Sequence, residues 1–394
     1  MTSGIRQPAE GGRALPPYDA YTMELHFSPY APPTCVLAGS ARQTYEYMNS
    51  SIPNQPASIA VVIPSYKVRA HILGVIAKIG PEVERIYVVD DCCPDRSGDF
   101  VESHCEDPRV RVVRHAVNQG VGGAVMTGYA AAIADGADVI VKVDGDGQMD
   151  PGLLPQFVLP IIEGWADYTK GNRFYDLTHI TRMPAMRLIG NAGLSIMTKI
   201  STGYWTIFDP TNGYTAINAR AASHLPFDRI SKRYFFETDM LFRLNTLRAV
   251  VADIPMDAVY GDEKSNLKIT NVLFEFMGKH AKNFTKRIFY NYFLRDMTAA
   301  TFELIVGLIL FVFGVCFGVV HWISALATAT PTPLGTIMLS ALPVLIGLQL
   351  LLGFLNFDVA NVPSRPISKF LPFHPAVART EQEAIDAAQQ SHTK

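Results

Sequence analysis

The chain has 394 residues, with 34 Lys or Arg against 36 Asp or Glu and a formal net charge of −2. That length exceeds what one small core requires, so a catalytic domain with appended segments is expected. The interspersed charges give no broad basic field, which disfavours a nucleic-acid partner. The cysteines, Cys35, Cys92, Cys93, Cys105 and Cys316, are odd in number and lack CxxC spacing; they read as structural thiols in a reducing compartment.

Residues 1–55 are rich in Pro, Ser and Gly with scattered aromatics and read as an extended N-terminal arm. The opening MTSGIRQPAEGGRALPPYDAY has no apolar core behind a basic patch, so no secretory signal is expected and the catalytic part is placed in the cytoplasm. The catalytic domain is assigned to 56–265. From Ser58 to Arg173, the β-branched runs SIAVVIPSY, VERIYVVDD, VRVVRH, ADVIVKVDGDG and ADYTKGNR alternate with helical patterns. Apolar strands separated by helices predict a parallel sheet covered on both faces. Ligands of such sheets bind beyond the carboxyl ends of the strands. Polar residues stand at those ends: Ser65 and Tyr66, Asp90 and Asp91, His115 and Asn118, Asp144 and Asp146.

At the second strand end, Asp90 and Asp91 are positioned to hydrogen-bond a base or ribose, whereas Asp95 reads as a turn or helix cap. In HAVNQGVGGAVMTGY, Asn118, Gly120, Gly122, Gly123 and Gly128 form a glycine-rich entry to a helix that lets backbone approach a nucleotide. The run is neither GxGxxG nor a Walker loop, which weighs against dinucleotide oxidoreductases and P-loop enzymes. The sharpest local signal is VIVKVDGDGQ. A buried strand delivers Asp144 and Asp146 at its end, followed by Gln148, and glycines between them allow close approach. Two carboxylates so placed can share Mg²⁺ or Mn²⁺ with a diphosphate, since these ions prefer oxygen ligands. A solvated acidic turn is the plainer reading of an isolated DxD, and the preceding buried strand argues against it.

Residues 266–298 interleave bulky apolar groups with cations (NVLFEFMGKHAKNFTKRIFYNYF), as helices in a headgroup layer do; packing against the catalytic domain is the alternative. From Leu304 to Phe357 no Lys, Arg, Asp or Glu occurs. Each crossing needs about 20 apolar residues, so the region 299–357 holds two transmembrane helices, near 301–325 and 335–357, with TPTPLG as the turn. The alternative is a buried hairpin of a soluble protein. Lys268, Lys279, Lys282, Lys286, Arg287 and Arg295 precede the first span, and Arg365 and Lys369 follow the second. Both ends therefore face the cytoplasm, with 358–394 as a cytoplasmic tail of an integral inner- or plasma-membrane protein.

VVIPSYK, VVDDCCPD, NQGVGGA, DGDGQ and GNR, in this order, resemble the nucleotide-sugar-binding half of family 2 glycosyltransferases. The later blocks RLIGNAGLSIMTKISTG, DPTNGYTAIN and FFETDMLFRL are similar to the polyprenyl-phosphate branch of that family. The resemblance implies an α/β fold, a GT-A (Rossmann-like) nucleotide-sugar-binding domain with a C-terminal α-helical transmembrane hairpin. It implies inverting transfer of one sugar from a UDP- or GDP-linked hexose to a polyprenyl (undecaprenyl or dolichyl) phosphate, and relatives of this type often self-assemble. Carried onto this sequence, Asp144, Asp146 and Gln148 surround the metal and diphosphate. Pro64, Tyr66, Asp91 and Asn118 line the nucleotide pocket, with Asp90, Gly120 and Gly123 beside them. Arg173, Arg187 and Asn191 hold the acceptor phosphate, a task suited to bidentate Arg. Lys67 and Val68 depart from the Asn-Glu of many relatives, and Asn191 from their Ser. Glu237 and Asp239 occupy the stretch that supplies a general base where the acceptor is a hydroxyl; helix-start carboxylates facing the dipole are the alternative. Lys264 and Ser265 rank low as phosphate contacts. Two other functions compete, a polysaccharide-forming transferase and a silent nucleotide-sugar-binding scaffold. The three tryptophans form no QxxRW helix, which counts against the first, and intact DGDGQ counts against the second.

Overall fold

The apolar runs become strands where the pattern places them. A computed structural model describes residues 57–175, 185–256 and 269–373, with side chains for all but 185–189 and 269–274. The N-terminal arm, Lys264, Ser265, the side chain of Arg187 and everything beyond 373 lie outside the described residues. Strands β1 (Ile59–Ser65), β2 (Arg85–Asp90), β3 (Val110–Arg114) and β4 (Val139–Lys142) pair in parallel in the order 3-2-1-4. Nearly all of β1, β2 and β4 is buried, as required of strands covered on both faces.

The sheet is not parallel throughout. β5 (Tyr168–Asn172) does not pair with β4; β6 (Thr215–Asn218) lies between them, antiparallel to both, and β7 (Val251–Pro255) extends the far edge parallel to β5. The order is β3-β2-β1-β4-β6-β5-β7. β6 is only TAIN, too short to show a period, and it satisfies the backbone edge that β4 would otherwise expose.

Helices fill both faces. On one, α3 (Val121–Ala134) and α7 (Phe236–Leu247) cover Val62 and Val89; on the other, α1 (Ile72–Ala77) and α4 (Leu154–Ile162) cover Val61 and Ile63. Neighbouring β1 residues thus serve opposite cores, as strand alternation dictates. Short helices α2 (Ser97–His104) and α6 (Ala219–Ser223) and the longer α5 (Ala185–Thr202) complete this part.

Beyond it, α8 (Ile269–Phe289) passes through a wide helical turn, Tyr290–Arg295, into α9 (Ala299–Thr328) and α10 (Leu334–Ala360). The last two have mean hydropathy 2.7 and 2.2 and are long and apolar enough to cross a membrane. They outrun the expected 301–325 and 335–357 by a few residues at most ends. Close packing uses small residues: a Cβ on Gly347 would meet the Phe311 nitrogen at 2.6 Å, and Ser340 Oγ donates to the Gly314 carbonyl at 3.0 Å.

The hairpin base is joined to the catalytic part by one buried carboxylate. Asp358 accepts from Arg287 Nη1 at 2.5 Å and Nη2 at 3.0 Å, from the Tyr292 hydroxyl at 2.6 Å and from Trp205 Nε1 at 3.0 Å. The chain then returns to the sheet, where the Asp167 carboxylate accepts from the backbone of Ile367 at 3.0 Å and Ser368 at 2.8 Å. Residues 367 and 368, just past the second apolar helix, therefore pack on the catalytic part.

Candidate active site

Strand order reverses between β1 and β4, and there a cavity of about 540 Å³ opens at the carboxyl ends of the strands. Pro64, Ser65 and Tyr66 come from β1, Asp91 from the end of β2, Asn118 and Gly120 from the loop before α3, and Asp144, Gly145 and Asp146 from the end of β4. Arg233, Tyr234 and Glu237 close it from the start of α7. Five separate stretches of sequence thus meet around one cavity.

Below Asp144 sits a buried cation. Lys142, 1% exposed, places Nζ 2.8 Å from Asp144 Oδ1, 3.0 Å from the Gly213 carbonyl and 4.0 Å from Glu237 Oε1. Burial opposes its charge most strongly, but Asp144 and Glu237 more than offset this and hold its pKa above the ordinary value. Burial likewise raises Glu237 against the pull of Lys142 and Lys170. Lys170, also buried and donating to the Asn212 carbonyl, is pushed down to about 8 by burial. Gly213 makes this arrangement feasible, since a Cβ there would stand 2.5 Å from both Asp144 Oδ2 and Lys142 Nζ.

Asp91 organises the loop between β3 and α3. Its Oδ1 accepts from His115 Nδ1 and the Gln119 N–H, both at 2.7 Å, and its Oδ2 from the Gly120 N–H at 2.7 Å. Burial works against its ionisation, but these donors prevail and lower its pKa. His115 Nε2 reaches Thr127 at 2.9 Å and Asn118 Nδ2 donates to the Asp91 carbonyl at 3.0 Å. The glycine-rich loop is correspondingly no phosphate cradle. The Gly122 N–H donates to the Lys232 carbonyl at 2.9 Å, and a Cβ on Gly122 would meet the Ser231 carbonyl at 2.5 Å. Gly120 and Gly122 serve close packing against the segment leading into α7, and Gly120, with φ of 88°, makes the turn.

Several sequence candidates stand elsewhere. Asp90 is not on the cavity wall; its carboxylate accepts from the Cys93 N–H at 2.7 Å and the Gly98 N–H at 2.6 Å and secures the start of α2. Gly123 is packed on Gln119. Asp239 points away from the cavity, because two residues along a helix diverge by about 200° from Glu237. Its Oδ2 accepts from the Ser231 N–H at 2.9 Å and its Oδ1 from Asn283 Nδ2 at 3.1 Å. Gln148 meets Asp146 through its backbone N–H at 3.0 Å. Arg173 lies at the carboxyl end of β5 and binds Asp209 through Nε at 2.7 Å and Nη2 at 3.1 Å, which joins the GNR and DPTNGY blocks. Asn191 is half-buried on α5 and does not border the cavity. Lys142, Arg233 and Tyr234 were missed by the motifs. A lone Lys inside the buried run VIVKV was the available signal for the first, because an unpaired charge is not tolerated there.

Asp144 and Asp146 offer the oxygen donors that Mg²⁺ and Mn²⁺ prefer. Among the described residues no group of three or more His, Cys, Asp and Glu gathers. The pair fits an ion whose shell is completed by diphosphate and water, and not an all-protein cage.

The profile described as Glycosyl transferase family 2 matches residues 60–225. An undecaprenyl-phosphate mannosyltransferase from Micrococcus luteus is 31% identical over 206 residues, 51% of this chain and 83% of that protein. The chain belongs to glycosyl transferase family 2. It is a glycosyltransferase with a GT-A-like mixed sheet. A UDP-N-acetylglucosamine–dolichyl-phosphate N-acetylglucosaminyltransferase from Methanococcus voltae is 28% identical, over 55% of this chain and 92% of that one. Among solved structures, mannosyl-3-phosphoglycerate synthase from Rubrobacter xylanophilus is similar with a TM-score of 0.46 and 16% identity, covering 66% of this chain and 80% of that one.

Proposed function

We propose that this family 2 glycosyltransferase transfers one sugar from a UDP- or GDP-linked hexose to a polyprenyl phosphate at the cytoplasmic face of a membrane, by a single inverting displacement. The observation that carries the reading is the convergence of Asp144 and Asp146 on a cavity that Pro64, Tyr66, Asp91 and Asn118 also line. Mg²⁺ or Mn²⁺ held by the two carboxylates would stabilise the departing diphosphate. Tyr66, 45% exposed, offers a flat face to the donor base, and the Asp91 network fixes the loop that carries Asn118. Lys142 holds Asp144 in place from beneath.

The acceptor assignment is supported by the activities for which the Micrococcus and Methanococcus relatives are named and by the two apolar helices. A phosphate monoester has its second pKa near 6 and arrives as an anion, so it needs no general base. Arg173, Arg187 and Asn191 are assigned to hold it. Glu237 instead balances Lys142 and Lys170.

The test is turnover of labelled UDP- and GDP-hexoses with a short-chain polyprenyl phosphate in detergent. Lipid-linked sugar should form, and Asp144→Asn, Asp146→Asn and an excess of chelator should each remove nearly all of it. Full activity of either variant in chelator would overturn the metal assignment, and transfer only to a sugar hydroxyl would overturn the acceptor.

A further inference from the structure

A second, smaller groove of about 150 Å³ lies between α7 and α8, behind the segment that closes the donor cavity. Arg229, Arg243, Lys279, Lys282 and Lys286 line it, with Asp239 as the one carboxylate on its wall. Three of these cations are partly neutralised, Arg229 by Asp228 at 3.6 Å, Lys279 by Glu275 at 2.7 Å and Arg243 by Asp239 at 3.9 Å. Arg243 Nε is buried and lacks an acceptor among the described residues, and neither Lys282 nor Lys286 has a carboxylate partner there. Arg243, Lys282 and Lys286 therefore share one carboxylate, Asp239, which already accepts from Ser231 and Asn283.

Position decides what anion fits. Glu237 faces the donor cavity and Asp239 faces this groove from the opposite side of α7, so an anion here cannot reach the donor's anomeric carbon. Lys282 and Lys286, one turn apart on α8, precede the turn into α9. The opposite face of the same stretch, Phe284 and Ile288, shares an apolar cavity of about 420 Å³ with Leu304, Ile305 and Leu308 of α9. The cationic face of α8 thus runs level with the first turns of a helix apolar enough to cross a bilayer, which is headgroup depth.

We propose that this groove binds the phosphate of an anionic bilayer phospholipid that is not consumed in the reaction. Ser231 lines the groove, while Arg233 and Tyr234 of the same segment line the donor cavity. The Lys232 carbonyl between them accepts from Gly122. Occupancy therefore steadies the donor side of the active site, and its kinetic signature is a lower KM for the nucleotide sugar.

The experiment uses the full chain in nanodiscs of phosphatidylcholine with or without phosphatidylglycerol. Lipid retention is read by native mass spectrometry, which needs no turnover and so stands apart from the acceptor assignment. Each surface cation contributes about fivefold to anionic-lipid affinity, so Lys282→Gln with Lys286→Gln should weaken phosphatidylglycerol retention on the order of thirtyfold. Lys369→Gln, an exposed cation outside the groove, should leave it unchanged, and phosphatidylglycerol should lower the donor KM of the wild type alone. Equal retention by wild type and double variant would overturn the site. Reproduction of the KM effect by inorganic phosphate in phosphatidylcholine discs would make it a free-anion site, and displacement of phosphatidylglycerol by polyprenyl phosphate would make it an acceptor subsite; either result overturns the proposal.

Discussion

Glu237 and Asp239 are indistinguishable by residue type and lie two positions apart, yet they face different cavities. Glu237 stands 4.0 Å from Lys142 on the donor side, while Asp239 binds the Ser231 backbone at 2.9 Å behind it. Asp239→Asn should accordingly keep turnover within about tenfold of wild type, since general-base removal would cost on the order of 10² to 10⁴. A polyprenyl-phosphate assay on this variant checks it, and a dead Asp239→Asn protein that remains folded would return Asp239 to the chemistry. Gly213 gives a second expectation. Gly213→Ala places a methyl group 2.5 Å from Asp144 Oδ2 and Lys142 Nζ, and displacement of a reacting-site group by about 1 Å costs on the order of 10²-fold in rate. Measured kcat should fall by that order while the folded circular-dichroism spectrum persists.

At the scale of elements, α8 both presents apolar side chains outward and braces the catalytic part. Met277, Phe284 and Phe289 are exposed, while His280, Asn283 and Arg287 are buried against α5 and α7. His280 shares a 2.8 Å hydrogen bond with Ser201, its Nε2 has no partner among the described residues, and burial lowers its pKa from 6.5 to about 4. Between those values the unfolded chain takes up a proton that the folded one refuses. The stability contributed by neutral His280 is therefore complete above pH 6.5 and lost as pH falls toward 4, by up to roughly 2 kcal/mol. Thermal unfolding at about pH 7 and about pH 5 should show a drop that His280→Gln reduces; an identical drop in the variant would assign the acid sensitivity to other groups.

Across the whole molecule, both ends of the hairpin meet the catalytic part, and just ahead of α9 Arg295 donates to the Thr246 carbonyl. Asp358 joins α10 to Arg287, Tyr292 and Trp205, and Asp167 binds the returning backbone at Ile367 and Ser368. Breaking one partner of a buried pair such as Arg287 and Asp358 costs about 3–5 kcal/mol, so this joint resists separation of hairpin and domain. If the helices span, both ends lie on the catalytic side, in agreement with the flanking cations. Cysteines introduced at Ala327 or Thr332 in a cysteine-free background should react with an impermeant reagent from outside, whereas Lys282→Cys and Lys369→Cys should not. Labelling of position 369 from outside would refute this orientation.

Sequence alone determined the elements whose signals are local. β1, β2 and β4 announce themselves by continuous apolar runs, β3 by its β-branched VRVV, Asp144 and Asp146 by their place after β4, and α9 and α10 by length and hydropathy. Tertiary structure decided what depends on residues distant in the chain. TAIN becomes β6 only because β4 and β5 lie on either side of it, Asp90 caps α2 while its neighbour Asp91 orders the loop before α3, and the glycines of NQGVGG make room for Ser231 and Lys232, more than a hundred residues later. Periodicity reports burial along one element, but the partner of a buried charge is set by which elements the fold brings together. Lys142 is the plainest case: its strand is readable at once, and its meaning rests on Asp144, Gly213 and Glu237, which only the folded sheet gathers around it.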